Sequence, residues 1–175
     1  MIKIIFVFST SFLSIIFLLG CKQKTADKAQ KLETSFFDFF EFSQADSLLI
    51  NARFSECGEW SGHKEEIIIN ADKNRNFYAH YKVYPYNCDS LKYYYANENL
   101  KPKLDKTIRL NDEGKQSIID YIKRLTQSKI TEKFPGHAGN IFSIVKSDST
   151  LIINVYDNKQ YDVDSYNKLV TALFK

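Results

Sequence analysis

Several segments of this 175-residue chain alternate apolar and polar side chains with a period of two, and they govern what it can fold into. In "SLLINARF", Leu48, Ile50, Ala52 and Phe54 share one parity, with Asn51 and Arg53 on the other. "EEIIINA" places Ile67, Ile69 and Ala71 together, and "NFYAHYKVY" does the same for Phe77, Ala79, Tyr81 and Val83. Successive side chains of a strand point to opposite faces, so this pattern predicts half-buried antiparallel strands. "DKNRN", Asp72 to Asn76, has the residues of a hairpin turn between the last two. "IFSIVK" and "TLIINVYD" alternate as strands, "TIRL" (Thr107 to Leu110) is a short one, and "LKYYYANENLKP" holds another strand and then a loop.

Elsewhere the period changes. In "NDEGKQSIIDYIKRLTQ", Ile118, Ile122 and Leu125 stand at i, i+4 and i+7, with Ile119 and Tyr121 beside them. Asn111 or Asp112 can cap the start, so residues 112 to 127 read as an amphipathic helix. "FPGHAGN" is a loop by its proline and two glycines. "NKQYDVD" reads as a turn into a short return strand, after which Asp164 caps "SYNKLVTALF", whose Tyr166, Leu169, Val170 and Leu173 form one apolar face. The expected fold class is α+β: a mostly antiparallel β-sheet with two amphipathic helices packed on one face. "SFFDFFEF", Ser35 to Phe42, is too rich in phenylalanine to stay in water and packs as a first strand or short helix; its period fits either.

The first residues, "MIKIIFVFSTSFLSIIFLLGC", carry Lys3 and then a run from Ile4 to Leu19 that is apolar apart from scattered Ser and Thr. A membrane-spanning helix needs roughly 20 such residues, and this run is shorter. It fits the hydrophobic region of a secretory signal. Its end, Leu18-Leu19-Gly20-Cys21, resembles the lipobox of bacterial lipoproteins. That resemblance covers residues 1 to 21. It implies that the Cys21 thiol receives a diacylglyceryl group, that the chain is cut before Cys21, and that the new amino group is acylated, commonly with palmitate. Residues 1 to 20 are then the signal peptide, residues 21 to 34 a polar tether of about 20 Å as a flexible coil, and residues 35 to 175 a single domain. Each buried methylene contributes ~0.8 kcal/mol, and stable attachment takes more than one chain. A triacylated Cys21 would meet that requirement. Lys22 and Gln23 follow the cysteine, where an aspartate would favour retention at the inner membrane. The expected location is therefore the outer membrane, facing the periplasm.

Cleavage before Cys21 would leave 175 − 20 = 155 residues, enough for one domain with a real core. The signal holds one of the 24 Lys and Arg and none of the 21 Asp and Glu, so the remaining charge is 23 − 21 = +2. That is no footprint for nucleic acid. With Cys21 taken by lipid, Cys57 and Cys88 remain. In an oxidising compartment a remaining pair reads as a disulfide. It would close a loop of about 30 residues and stabilise by roughly 3–4 kcal/mol in the chain-entropy account.

"ECGEWSGHKE", Glu56 to Glu65, holds the densest chemistry in the chain. Gly58 and Gly62 supply turn conformations, so the plain reading is a long hairpin loop pinned by Cys57 and covered by Trp60. The sharper readings each lack a part. Zinc would use Cys57 and His63 with Cys88, His80 or His137, but Cys57-x5-His63 is not a structural zinc spacing and no second close pair completes it. No metal and no cofactor is expected. A Cys57–His63 nucleophilic pair needs a free thiol. Glu59 and Glu65 could form a glycosidase pair, although two loop glutamates are more often solvated. His80 falls on the polar face of its strand beside Lys82. "YPYNCDSLKYYY" adds five tyrosines between Tyr84 and Tyr95, residues that expose apolar area with a polar handle. The candidate binding surface is Glu59, Trp60, His63, Tyr93, Tyr94 and Tyr95; no catalytic residue is assigned.

The whole chain is similar to small uncharacterised envelope lipoproteins. The functional expectation is a non-enzymatic, membrane-anchored envelope protein that binds a macromolecule, in one form an immunity-type protein whose partner is a toxin entering the periplasm. The alternatives are an envelope hydrolase built around His63, Glu65 and His137, and a small-ligand carrier with an apolar cavity between sheet and helices.

Overall fold

The computed structural model describes residues 45–56, 62–85, 101–132, 139–157 and 160–175. Cys21, Cys57, Cys88, Glu59, Trp60, Tyr93, Tyr94, Tyr95 and His137 lie outside these residues, as do the signal, the tether and the phenylalanine-rich segment. The lipid attachment and the Cys57–Cys88 bridge therefore stay expectations.

Six strands form one antiparallel sheet: β1 (Ser47–Arg53), β2 (Lys64–Ala71), β3 (Phe77–Tyr84), β4 (Leu104–Arg109), β5 (Asn140–Lys146) and β6 (Ile152–Asp157). Two helices accompany it, α1 (Asp112–Thr131) after β4 and α2 (Tyr161–Phe174) after β6. The strand order is β4-β3-β2-β1-β5-β6. The first four strands run as a meander, α1 carries the chain back, and β5 pairs with β1. The α+β class with a mostly antiparallel sheet is thus the one observed.

The alternation that predicted the strands also sorts the core. Leu48, Ile50 and Ala52 of β1, Ile67 and Ile69 of β2, Ala79 and Tyr81 of β3, and Phe142 and Ile144 of β5 are all buried. On the same side lie the helix residues Ile118, Ile122 and Leu125 of α1 and Tyr166, Leu169 and Leu173 of α2. Contacts show α2 on this face directly: the Tyr166 and Phe142 rings are 5.8 Å apart, and Phe174 stacks on Tyr81 at 4.9 Å. Full burial of one such side chain is worth about 1.5–3 kcal/mol.

The hairpin at Asp72 follows the sequence reading closely. The Asp72 carboxylate accepts from the backbone N–H of Asn74 and of Asn76, both at 2.8 Å, and from the Asn76 amide at 2.9 Å. These bonds, with the Asn76 side chain the largest contributor, hold its carboxyl below the ordinary range. Arg75 takes the left-handed conformation the tight turn requires, at φ 61°.

Three boundaries differ. β4 begins at Leu104, three residues before "TIRL", because its pairing with β3 extends to Val83. α1 continues to Thr131, past residue 127, with the Ser128 hydroxyl bonded to Asp162 of α2 at 2.7 Å. The third is a correction: Tyr161 to Asp164 belong to α2 and form no return strand, and Asp164 is not a cap. Gln160 holds the cap position at φ 68°, and Val163 is buried as part of the helix face. The alternation of Tyr161 and Val163 fitted a strand, but the helix buries Val163, Tyr166 and Leu169 on one side, which a strand could not.

A carboxylate–histidine–carboxylate cluster at the end of the β1–β2 hairpin

The candidate site grows out of strand parity. Glu65 shares its parity with Ile67 and Ile69, so β2 turns it toward the helix side of the sheet. Its side chain is 13% exposed. A carboxylate in that position needs partners, and it has two. Tyr81 of β3 donates its hydroxyl to one Glu65 oxygen at 2.5 Å. His63 Nε2 faces the other at 3.0 Å. Tyr166 of α2 is buried close enough for the Glu65 charge to act on it.

His63 is held on three sides. Its Nδ1 is 2.9 Å from Glu56, its Nε2 meets Glu65, and its ring stacks on Phe54 with centroids 4.4 Å apart and planes 12° from parallel. Glu56 also reaches the His63 backbone N–H at 3.4 Å. Phe54 in turn meets Phe142 and Tyr166 edge-on at 6.0 and 5.9 Å. A neutral imidazole has one N–H and one lone pair, so only the protonated ring can donate to both carboxylates at once. The ring then bridges Glu56 to Glu65.

The backbone closes the same end. Phe54 N–H donates to the His63 carbonyl at 3.0 Å, extending the β1–β2 pairing one step past the strands. Ser55 N–H donates to the Asn140 side chain at 2.9 Å, tying the hairpin to β5. Gly62 is essential to this closure through space rather than dihedral freedom: a Cβ there would sit 1.2 Å from the Phe54 carbonyl oxygen.

Electrostatics follow the geometry. Burial, then the Glu65 hydrogen bond and charge, push the Tyr81 phenol well above its ordinary value. Burial and the Glu65 charge do the same to Tyr166. On the opposite face of the sheet, burial and then Glu66 push Tyr84 up to about 12.

The arrangement restricts the chemistry open to His63. A general base needs a ring nitrogen within reach of the proton it removes, whereas both nitrogens of His63 face protein carboxylates. Those carboxylates lie on different nitrogens of the ring, so the three groups do not converge on a common metal position. Among the described residues no cluster of three or more His, Cys, Asp or Glu could hold a metal ion. His80 is on the other face, as its parity predicted, with Nδ1 2.9 Å from the Thr107 hydroxyl and Nε2 3.2 Å from the Asn70 amide oxygen.

Of the residues singled out in the sequence, the structure brings His63 and Glu65 together. It adds Glu56, Phe54, Tyr81 and Tyr166, which the sequence reading did not assign to a site. Glu65 itself carried the missing signal, because an acidic residue at an inward-facing position of a strand demands a donor on the neighbouring strand or on the covering helix. No helix among the described residues is long and apolar enough to cross a membrane. No known protein family, no curated protein and no solved structure matches this chain.

Proposed function

We propose that this protein is a lipid-anchored bacterial envelope protein that binds another macromolecule at the β1–β2 end of its sheet. The anchor rests on Leu18-Leu19-Gly20-Cys21 closing an apolar leader. The binding role rests on one observation: Glu56, His63 and Glu65 clamp the two ends of the segment that carries Glu59 and Trp60. Fixing the ends of a loop in advance lowers the ordering cost of recognition. It also engages the histidine nitrogens that a hydrolytic site would leave for substrate. The location is the outer membrane facing the periplasm, and the partner is a protein of the envelope or one entering it. An immunity-type protein against a periplasm-directed toxin is the specific form, by analogy of size, fold class and anchoring.

Photo-crosslinking in intact cells tests this. A crosslinking residue placed at Trp60 or Tyr94 is expected to give one shared adduct, and the same residue at the exposed Lys168 of α2 none. The adduct should weaken when Glu65→Ala opens the clamp. Equal adducts from all three positions, or none from Trp60 and Tyr94, would contradict the proposal.

A further inference from the structure

We propose that His63 is a pH-operated latch: with a proton on each ring nitrogen it ties Glu56 to Glu65 and shuts the β1–β2 end, and on losing one proton it releases Glu56. The latch stands on the side-chain geometry alone; that it regulates binding rests on the role proposed above for this end. Histidine is the side chain whose charge ordinarily changes near neutral pH. Both His63 nitrogens face carboxylate oxygens, Nδ1 at 2.9 Å from Glu56 and Nε2 at 3.0 Å from Glu65. With one proton gone, a lone pair is left against a carboxylate, which is a repulsion in place of a hydrogen bond.

The two sides of the ring are unequal. Glu65 is 13% exposed, and it cannot turn away without leaving the Tyr81 hydroxyl behind. Glu56 is 43% exposed and follows the end of β1, so it can swing into water. The cost of an unpaired charge is higher on the buried side. The remaining proton therefore stays on Nε2, toward Glu65, and Nδ1 is left bare toward Glu56. Release of Glu56 also removes its 3.4 Å contact with the His63 backbone N–H. The same residue supplies the carbonyl that accepts from Phe54 N–H, so the last backbone step of the hairpin loosens with it.

The groups packed around the ring leave it free to act as the switch. Phe54 covers one face of it. β3 contributes Tyr81 through Glu65, α2 contributes Tyr166, and α1 places Tyr121 behind Tyr166. Burial raises all three phenols above their ordinary value, so each keeps its proton through neutral pH. β5 offers Phe142 and the Asn140 amide, neither of which titrates. Arg53 and Lys64 pair across the hairpin on the other parity, where Lys64 meets Glu66. Among the described residues, the ring and its two carboxyls are thus the groups at this end that exchange protons, and between about pH 5 and 8 the imidazole is the one that ordinarily does so.

The test uses the full chain with isotope-labelled histidine, extracted into detergent and free of any partner, so its outcome is separate from that of the crosslinking. Ring nitrogen signals, assigned by comparison with His63→Gln, are expected to pass with rising pH from a ring protonated on both nitrogens to one protonated on Nε2 alone. Over the same titration the hydrogen-exchange protection of the Phe54 and His63 amides should fall about threefold, the size of effect a half-exposed ion pair supplies. That of Ile68, inside the sheet, should hold. Glu56→Gln, a surface change, should remove the fall, because its amide accepts from the charged ring and donates to the bare Nδ1 of the neutral one. A neutral ring with its proton on Nδ1, or a ring that keeps one charge throughout, would overturn the proposal. So would protection that is unchanged as the ring titrates, or that falls equally in Glu56→Gln.

Discussion

Glu65 is the residue on which the cluster depends. It is an acid on the apolar parity of β2, and it stays there because Tyr81 and His63 each satisfy one of its oxygens. Removing it strands the Tyr81 hydroxyl and opens the His63 bridge. Leaving a buried polar group unpaired costs about 1–3 kcal/mol. Glu65→Ala should therefore lower the denaturant midpoint by that order, and the same change in a Tyr81→Phe background should cost less, since the orphaned hydroxyl is already gone. Equal losses in both backgrounds would mean that the Tyr81 bond contributes nothing. His63 was visible in the sequence as the one histidine inside a dense polar loop. Its stacking on Phe54 was not, because that contact depends on pairing one step beyond the strand ends.

At the scale of elements, the hairpin end shows why some features could be read in advance and others could not. Period-two alternation located β1, β2 and β3, and period 3.6 located α1, because burial imposes those periods directly. Ends are set by partners. β4 is longer than its apolar pattern because β3 offers it a register, and α2 begins early because Val163 finds the core. Gly62 was marked as a turn residue, but its role is a close approach between two backbones that no local pattern announces. Gly62→Ala should force Phe54 and residue 62 apart and break the Phe54–His63 hydrogen bond. The expected loss is about 1–3 kcal/mol, in the range of overpacking changes, with faster amide exchange at Phe54. Unchanged exchange at Phe54 would show that the hairpin end yields without cost.

For the whole molecule, four tyrosines couple the sheet and the helices to pH. Burial holds Tyr81, Tyr121 and Tyr166 above the ordinary phenol value near 10, and burial with Glu66 raises Tyr84 to about 12. A raised phenol pKa means the folded state keeps a proton that the unfolded chain gives up. Its stabilising contribution is complete below pH 10 and is lost as pH climbs through 10 toward 12 and beyond. Stability should fall steeply in that window, and Tyr84→Phe should soften the early part of the fall. A flat profile between pH 10 and 12 would contradict the burial assigned to these rings. The alternating strands and the two helical faces made the fold class legible. The partner is not legible, because recognition depends on a surface shape that residue order alone does not define.

The most direct measurement is the intact mass of the protein extracted from the envelope of a bacterium that expresses it, beside a Cys21→Ser variant. The expected result is a chain beginning at Cys21 and carrying a diacylglyceryl group and an amide-linked acyl chain, with the variant left unmodified and uncleaved. An unacylated Cys21, or a mature chain that begins elsewhere, would contradict it.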